Sequence, residues 1–221
     1  MRNARDEDAG KVCESTCVFR CNMRQFEWGE VACLAAALET HQQTLSTVEL
    51  TSNSLTRMPV ELLRLAPTLR SLTISWNMLS SIPASIGRLR RLETLDLSFN
   101  RLEILPPQLC CLYNLKSLCL SDNDLLQLPD AMGDLSSLER LKLQYNQLTC
   151  LPQSLSHLTK LSSLSLAGNP WQPPGLANAI DGGLEQILRF IKSCAAGDIP
   201  NRNASNRRRD ASPAVHCKRE P

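Results

Sequence analysis

Six asparagines at positions 53, 77, 100, 123, 146 and 169 are separated by one step of 24 residues and then four of 23. Prolines at 59, 83, 106, 129 and 152 keep the same beat, each six residues after an asparagine. Leucines at 45, 69, 92, 115, 138 and 161 open the units. A chain that repeats itself at this period builds one small supersecondary unit over and over, and no single unit can bury its own leucines. The only sink for that apolar surface is the neighbouring unit, so the chain must stack. Ala66-Pro67 accounts for the one longer step.

Each recurring position has a physical reason. In Leu95-Asp96-Leu97 the alternation turns both leucines to one face of a short strand. The asparagine amide carries donors and an acceptor, so it can satisfy backbone groups where the chain turns inside a coil. The residue before each proline is biased to extended geometry. The PxxLxxL that follows suits a short helical or 3-10 turn with proline at its first position. Aromatics are only 4% of the chain, which leaves an aliphatic core.

The unit Leu92-Glu-Thr-Leu95-Asp-Leu97-Ser-Phe-Asn100-Arg-Leu102, continued by Leu105-Pro106-Pro-Gln-Leu109-Cys-Cys-Leu112, resembles the leucine-rich repeat family over about 125 residues. The resemblance implies an α/β solenoid, a curved horseshoe of six repeats of 23–24 residues with helical caps. The reading divides the chain into a flexible cysteine-containing segment at 1–25, a helical cap at 26–44 and repeats at 45–171. A second helical cap follows at 172–196, then a disordered basic tail at 197–221. The first cap rests on Phe26, Val31, Leu34 and Leu38 near helical spacing, the second on Leu184, Ile187, Leu188 and Ile191.

Charge and targeting signals narrow the function. There are 24 basic and 22 acidic side chains, a formal +2, too weak a field for a dedicated nucleic-acid binder. Arg207-Arg208-Arg209 reads as a solvated run beside Asp210. No window approaches a membrane span, and MRNARDEDAGKVCEST lacks the apolar stretch of a secretory signal. With ten cysteines but no signal of secretion, reduced thiols in a cytoplasmic protein are expected. Cys13-x3-Cys17-x3-Cys21 would line three sulfurs along one face of a helix, which is the best metal candidate. The paired arrangement of a zinc site is missing, so no metal and no cofactor is expected. His41, His157 and His216 are scattered, and no nucleophile, P-loop or metalloprotease motif occurs. The chain therefore reads as a non-enzyme.

What remains is binding. The residues alternating with the inward leucines form columns on the open face of the sheet. Immediately before the asparagines stand Ser52, Trp76, Phe99, Asp122, Tyr145 and Gly168. Two before them come Thr51, Ser75, Ser98, Ser121, Gln144 and Ala167; four before them, Glu49, Thr73, Asp96, Cys119, Lys142 and Ser165. Trp76, Phe99, Asp96, Asp122, Arg140, Lys142 and Tyr145 are the expected partner-binding residues, with a charge trend from Glu49 and Asp96 toward Arg140 and Lys142. The rings either anchor a partner or lean on the neighbouring loop and shield the asparagine turn. The 23-residue step and the Asn169-Pro170-Trp171 ending without a following Cys-x-Cys pair are similar to the intracellular Ras-group repeats. That resemblance implies a protein scaffold in signalling or complex assembly, with a small GTPase or a phosphatase-type protein as partner. The alternatives are a metal- or redox-responsive regulator acting through the N-terminal cysteines, and a regulatory subunit of an enzyme such as a phosphatase.

Overall fold

The computed structural model describes residues 12–13, 18–20, 41, 43–172 and 174–195. Eight strands, β1 to β8 in chain order, form one sheet in which sequence neighbours are spatial neighbours. They are Val12–Cys13, Val18–Arg20, Thr47–Glu49, Ser71–Thr73, Thr94–Asp96, Ser117–Cys119, Arg140–Lys142 and Ser163–Ser165. The last six are one per repeat, all parallel. Val48, Leu72, Leu95, Leu118, Leu141 and Leu164 lie in one transverse row. Three residues per strand is short because each repeat needs only enough ladder to hold its two leucines inward.

After each of β3 to β7, the segment following the proline forms a 3-10 turn: Val60–Leu65, Ala84–Arg88, Pro107–Cys111, Asp130–Asp134 and Gln153–His157. Five of the six outer connections are therefore alike. The first turn has six residues where the others have five, so the extra residue of the first repeat is absorbed on the outer side, away from the sheet. Between the two layers most of the inward leucines, with Ile74, Ile86 and Met132, are fully buried and form a single continuous core.

The ends differ from the sequence reading in two ways. Val12–Cys13 pairs antiparallel with Val18–Arg20, and the latter pairs in parallel with the first repeat strand, Phe19 beside Val48. Phe19 is completely buried. Residues 12–13 and 18–20 are thus not a flexible segment, and Cys13 stands on a strand rather than on a helical sulfur stripe. The cause is the edge of the sheet: the strand at 47–49 would otherwise present unpaired backbone groups and bare Val48. The helical cap expected at 26–44 lies outside the described residues except for its end. There the amides of Thr44 and Leu45 donate to the His41 carbonyl at 3.0 and 2.9 Å.

At the other end two helices stand where the sequence suggested one, α1 (Pro174–Asp181) and α2 (Leu184–Ala195). Gly183, at φ +84°, makes the sharp stop between them, and its amide donates to the Ile180 carbonyl. Helix α2 packs on α1 and on the last 3-10 turn. Ile187 and Ile191 are buried there, while Leu184 and Leu188 are half-buried. Ile187→Ala should cost about 2–4 kcal/mol, read as a lower denaturation midpoint. Lys192→Ala, on the exposed side of the same helix, should leave the midpoint where it was.

Candidate functional site

The site begins with the asparagines. Asn123 shows the pattern: its Nδ2 donates to the carbonyls of Leu120 (3.2 Å) and Ser121 (3.1 Å) in its own repeat. The same nitrogen reaches Leu97 of the preceding repeat at 3.0 Å. Its Oδ1 accepts the Leu102 amide, also from the preceding repeat, at 3.0 Å. Asn77, Asn100, Asn146 and Asn169 repeat the arrangement one unit apart, with Leu55, Leu79, Leu125 and Leu148 as the donors to Oδ1. Asn53 donates to Leu50 and Thr51. Every one of these bonds closes a backbone group that the turn removes from the sheet. Asn123→Ala leaves several buried groups unsatisfied and should cost about 3 kcal/mol by chemical denaturation. Asn123→Asp should be no better, because it keeps the acceptor but turns a carboxylate toward three carbonyls.

To aim the asparagine inward, the residue before it must reverse the chain. Ser52, Trp76, Phe99, Asp122 and Tyr145 all sit at φ between +54° and +58°, and Gly168 at +70°. Left-handed backbone costs a non-glycine residue about 1–2 kcal/mol. Five such residues in one column, three of them large rings, are held there by the asparagine bonds beneath them. The sequence gives little direct sign of this geometry, since only Asp122 and Gly168 are residues that favour it.

The column stands at the C-terminal rim of the open sheet face. Trp76 and Phe99 stack on each other, ring centroids 3.9 Å apart and planes inclined by 11°. Tyr145 lies over Gly168, where an added Cβ would come within 2.5 Å of its ring. Trp76 and Tyr145 therefore lie against the next residue of the column, and all three rings still remain open to solvent: Trp76 is 56%, Phe99 37% and Tyr145 61% exposed. Met78, Ile104 and Leu126 are also exposed and follow on the turns of the same rim. Sequence reasoning missed these three, although each departs from the polar residues at equivalent places in other repeats.

The remaining expected residues are not all alike. Asp96 is half-buried, and its Oδ1 accepts the Ser98 amide (2.9 Å) and hydroxyl (2.6 Å), so it is committed locally. Asp122 is half-buried; Arg140 and Lys142 are exposed. Arg140 lies 3.8 Å from Glu139. In the column two before the asparagines Ser75, Ser98 and Ser121 are buried, the Ser98 and Ser121 hydroxyls lying beside Asp96 and Cys119 on the same face.

The opposite rim is charged. Arg70, Glu93 and Lys116 occupy the same place in successive repeats. Glu93 accepts from both, from Lys116 at 2.7 Å. The hydrogen bond from Lys116, and after it that from Arg70, holds the Glu93 carboxyl below the usual range. These three line a shallow groove of about 270 Å³ with Arg91, Asn114 and Ser137. Among the cysteines described, Cys110, Cys119, Cys150 and Cys194 are free thiols, whereas Cys111 is disulfide-bonded, which departs from the expectation of reduced thiols. Burial pushes the Cys110 thiol up to about 12 and keeps it unreactive. Cys119 is half-buried on the open face, beside the Ser121 hydroxyl. His41 and His157 stand in different elements, far apart along the chain. Among the described residues no group of three or more His, Cys, Asp or Glu could hold a metal ion. No helix described is long and apolar enough to cross a membrane.

A stacked parallel sheet with a periodic asparagine ladder is the geometry expected of one family, and the model of the family described as "Leucine-rich repeat region" matches residues 40–189. The chain belongs to the leucine-rich repeat family. Its repeats are similar to a Drosophila melanogaster leucine-rich repeat and calponin homology domain-containing protein, 44% identical over 68 residues, 31% of this chain and 8% of that protein. They are also similar to the human PH domain leucine-rich repeat-containing protein phosphatase 1, 41% identical over 73 residues, 33% of this chain and 4% of that one. The chain thus spans less than a tenth of the length of either relative. Among solved structures, a Leptospira interrogans leucine-rich repeat protein matches with a TM-score of 0.54 and 30% identity, covering 76% of this chain and 47% of that one.

Proposed function

We propose that this leucine-rich repeat chain is a protein-interaction scaffold that takes a protein partner across its second to fifth repeats. The observation that carries the reading is the exposed, pre-stacked ring column. Large rings fixed in place lose little rotamer freedom when covered, and such residues dominate binding hot spots. The left-handed backbone under them points the same way, since strain held by surrounding bonds gathers at functional positions. Lys142 and Arg140 stand in the strand that leads to Tyr145, ready to pair with an acidic group on the partner.

A role in intracellular signalling or complex assembly, in the cytoplasm, is part of the same proposal. It is supported by the resemblance to Ras-group repeats, which also favours a small GTPase or a phosphatase-type protein as partner. The named phosphatase relative supports the second of these, as a protein in which such repeats and a phosphatase occur together.

Affinity capture with mass spectrometry supplies the partner, and calorimetric titration tests the face. Trp76→Ala and Tyr145→Ala should each weaken binding by about 2 kcal/mol, roughly thirtyfold. Lys142→Glu should act mainly on association rate and its salt dependence. Gln153→Ala, exposed on the outer 3-10 turn, should change nothing. Wild-type affinity in both ring variants would reject the face.

A further inference from the structure

The ring column holds one residue of a different kind. Asp122 occupies the place between Phe99 and Tyr145, and backbone bonds fix the order. The Asn100 amide donates to the Asp122 carbonyl at 3.2 Å, and the Asn123 amide to the Tyr145 carbonyl at 3.2 Å. Phe99 and Tyr145 are thus two strand spacings apart, about 10 Å along the column, with a carboxylate at the midpoint. Trp76 stacks on one face of Phe99, which remains 37% exposed. Tyr145 lies over Gly168, on the side away from Asp122.

Asp122 is half-buried, and its side chain makes no ion pair or hydrogen bond among the described residues. Asp124, two residues on and exposed, is in the same condition and adds a second negative charge to the turn. Arg101, on the preceding turn, is exposed and pairs with neither. Met78, Ile104 and Leu126 carry apolar surface along the same rim on both sides of this point.

We infer that Asp122 receives an arginine side chain of the protein partner, flanked in the partner by apolar residues. This rests on the ring column being the binding face, and names what that face recognises. A guanidinium is planar, stacks on ring faces and pairs with a carboxylate through two parallel N–H donors. A carboxylate next to the exposed Phe99 ring offers both contacts. An ammonium would use the charge but not the stacking, so lysine fits less well. An acidic partner residue is repelled here and is directed instead to Lys142 and Arg140, one repeat further on. The face therefore reads a basic residue followed, along the column, by an acidic one.

The test uses acetyl-Leu-Arg-Leu-amide as the probe, with citrulline, lysine and glutamate versions, titrated into the 15N-labelled chain by NMR. The expected result is saturable shifts at the Asp122 amide and the Trp76 indole with the arginine peptide. Affinity should fall by about fivefold or more with citrulline, less with lysine, and vanish with glutamate. Asp122→Asn is the decisive variant, because asparagine tolerates left-handed backbone and the fold is kept. It should lose the arginine preference while its other resonances stay in place. Equal shifts for arginine and citrulline, unchanged binding in Asp122→Asn, or no shift at these sites up to about 10 mM would overturn the inference. If Trp76→Ala abolishes capture of the protein partner while Asp122→Asn leaves it intact, the ring column binds the partner without an arginine, and only this inference falls.

Discussion

The amide of a buried asparagine is the interaction on which the rest of this molecule depends. A parallel sheet of three-residue strands leaves most backbone groups of each repeat outside any ladder, and those groups are shut away from water. One side chain per repeat, Asn77 or Asn123 for example, closes them in its own turn and in the turn before. Because each asparagine also serves the preceding repeat, a repeat cannot be complete alone. Stacking is forced by hydrogen bonding as well as by the leucines. The hydrophobic layer supplies the bulk of the driving force, while the asparagines fix which residue of one repeat meets which of the next.

The same constraint builds the surface. Aiming the asparagine inward requires a left-handed residue before it, and that residue is thrown outward at the rim. Where it is Ser52 nothing follows; where it is Trp76, Phe99 or Tyr145 a ring is held rigidly in the open. The two rims then differ in character. One carries rings, Met78, Ile104 and Leu126, the other the Arg70–Glu93–Lys116 ladder. Surface pairs of that second kind contribute about 1 kcal/mol or less. They keep their rim hydrated, and leave the aromatic rim as the face whose covering would bury apolar surface. In a solenoid this contrast runs the length of several repeats, which suits an elongated contact rather than a pocket.

Much of this was legible in the sequence, because period is a strong signal. The register of 23 placed the strands, the outer turns, the inward leucines and the ladder asparagines without ambiguity. It also placed Trp76, Phe99, Asp122 and Tyr145 in one column. What the period could not convey was conformation within a column: that φ is positive there, that Trp76 stacks on Phe99, or that Ser75, Ser98 and Ser121 are buried. Those depend on how the strand leaves the sheet, which has no residue signature when the position is filled by a ring. Departures from the period were harder still. Val12–Cys13 and Val18–Arg20 lie outside the repeats, and the four-residue step of Cys13, Cys17 and Cys21 suggested a helix. Only the demand of an unpaired edge beside Val48 explains why Phe19 is drawn into the core.

The central claim is that the asparagine side chains, and not only the leucines, hold successive turns together. Amide hydrogen exchange at Leu55, Leu79, Leu102, Leu125 and Leu148 tests it most directly. None of these residues lies in a strand or helix, and each amide donates to an asparagine Oδ1 of the following repeat. The account predicts that they exchange as slowly as the strand amides of Leu95 and Leu118, through global opening. It predicts too that Asn123→Ala speeds exchange at Leu102 far more than at Leu148. Fast exchange at all five, typical of surface loops, would contradict it.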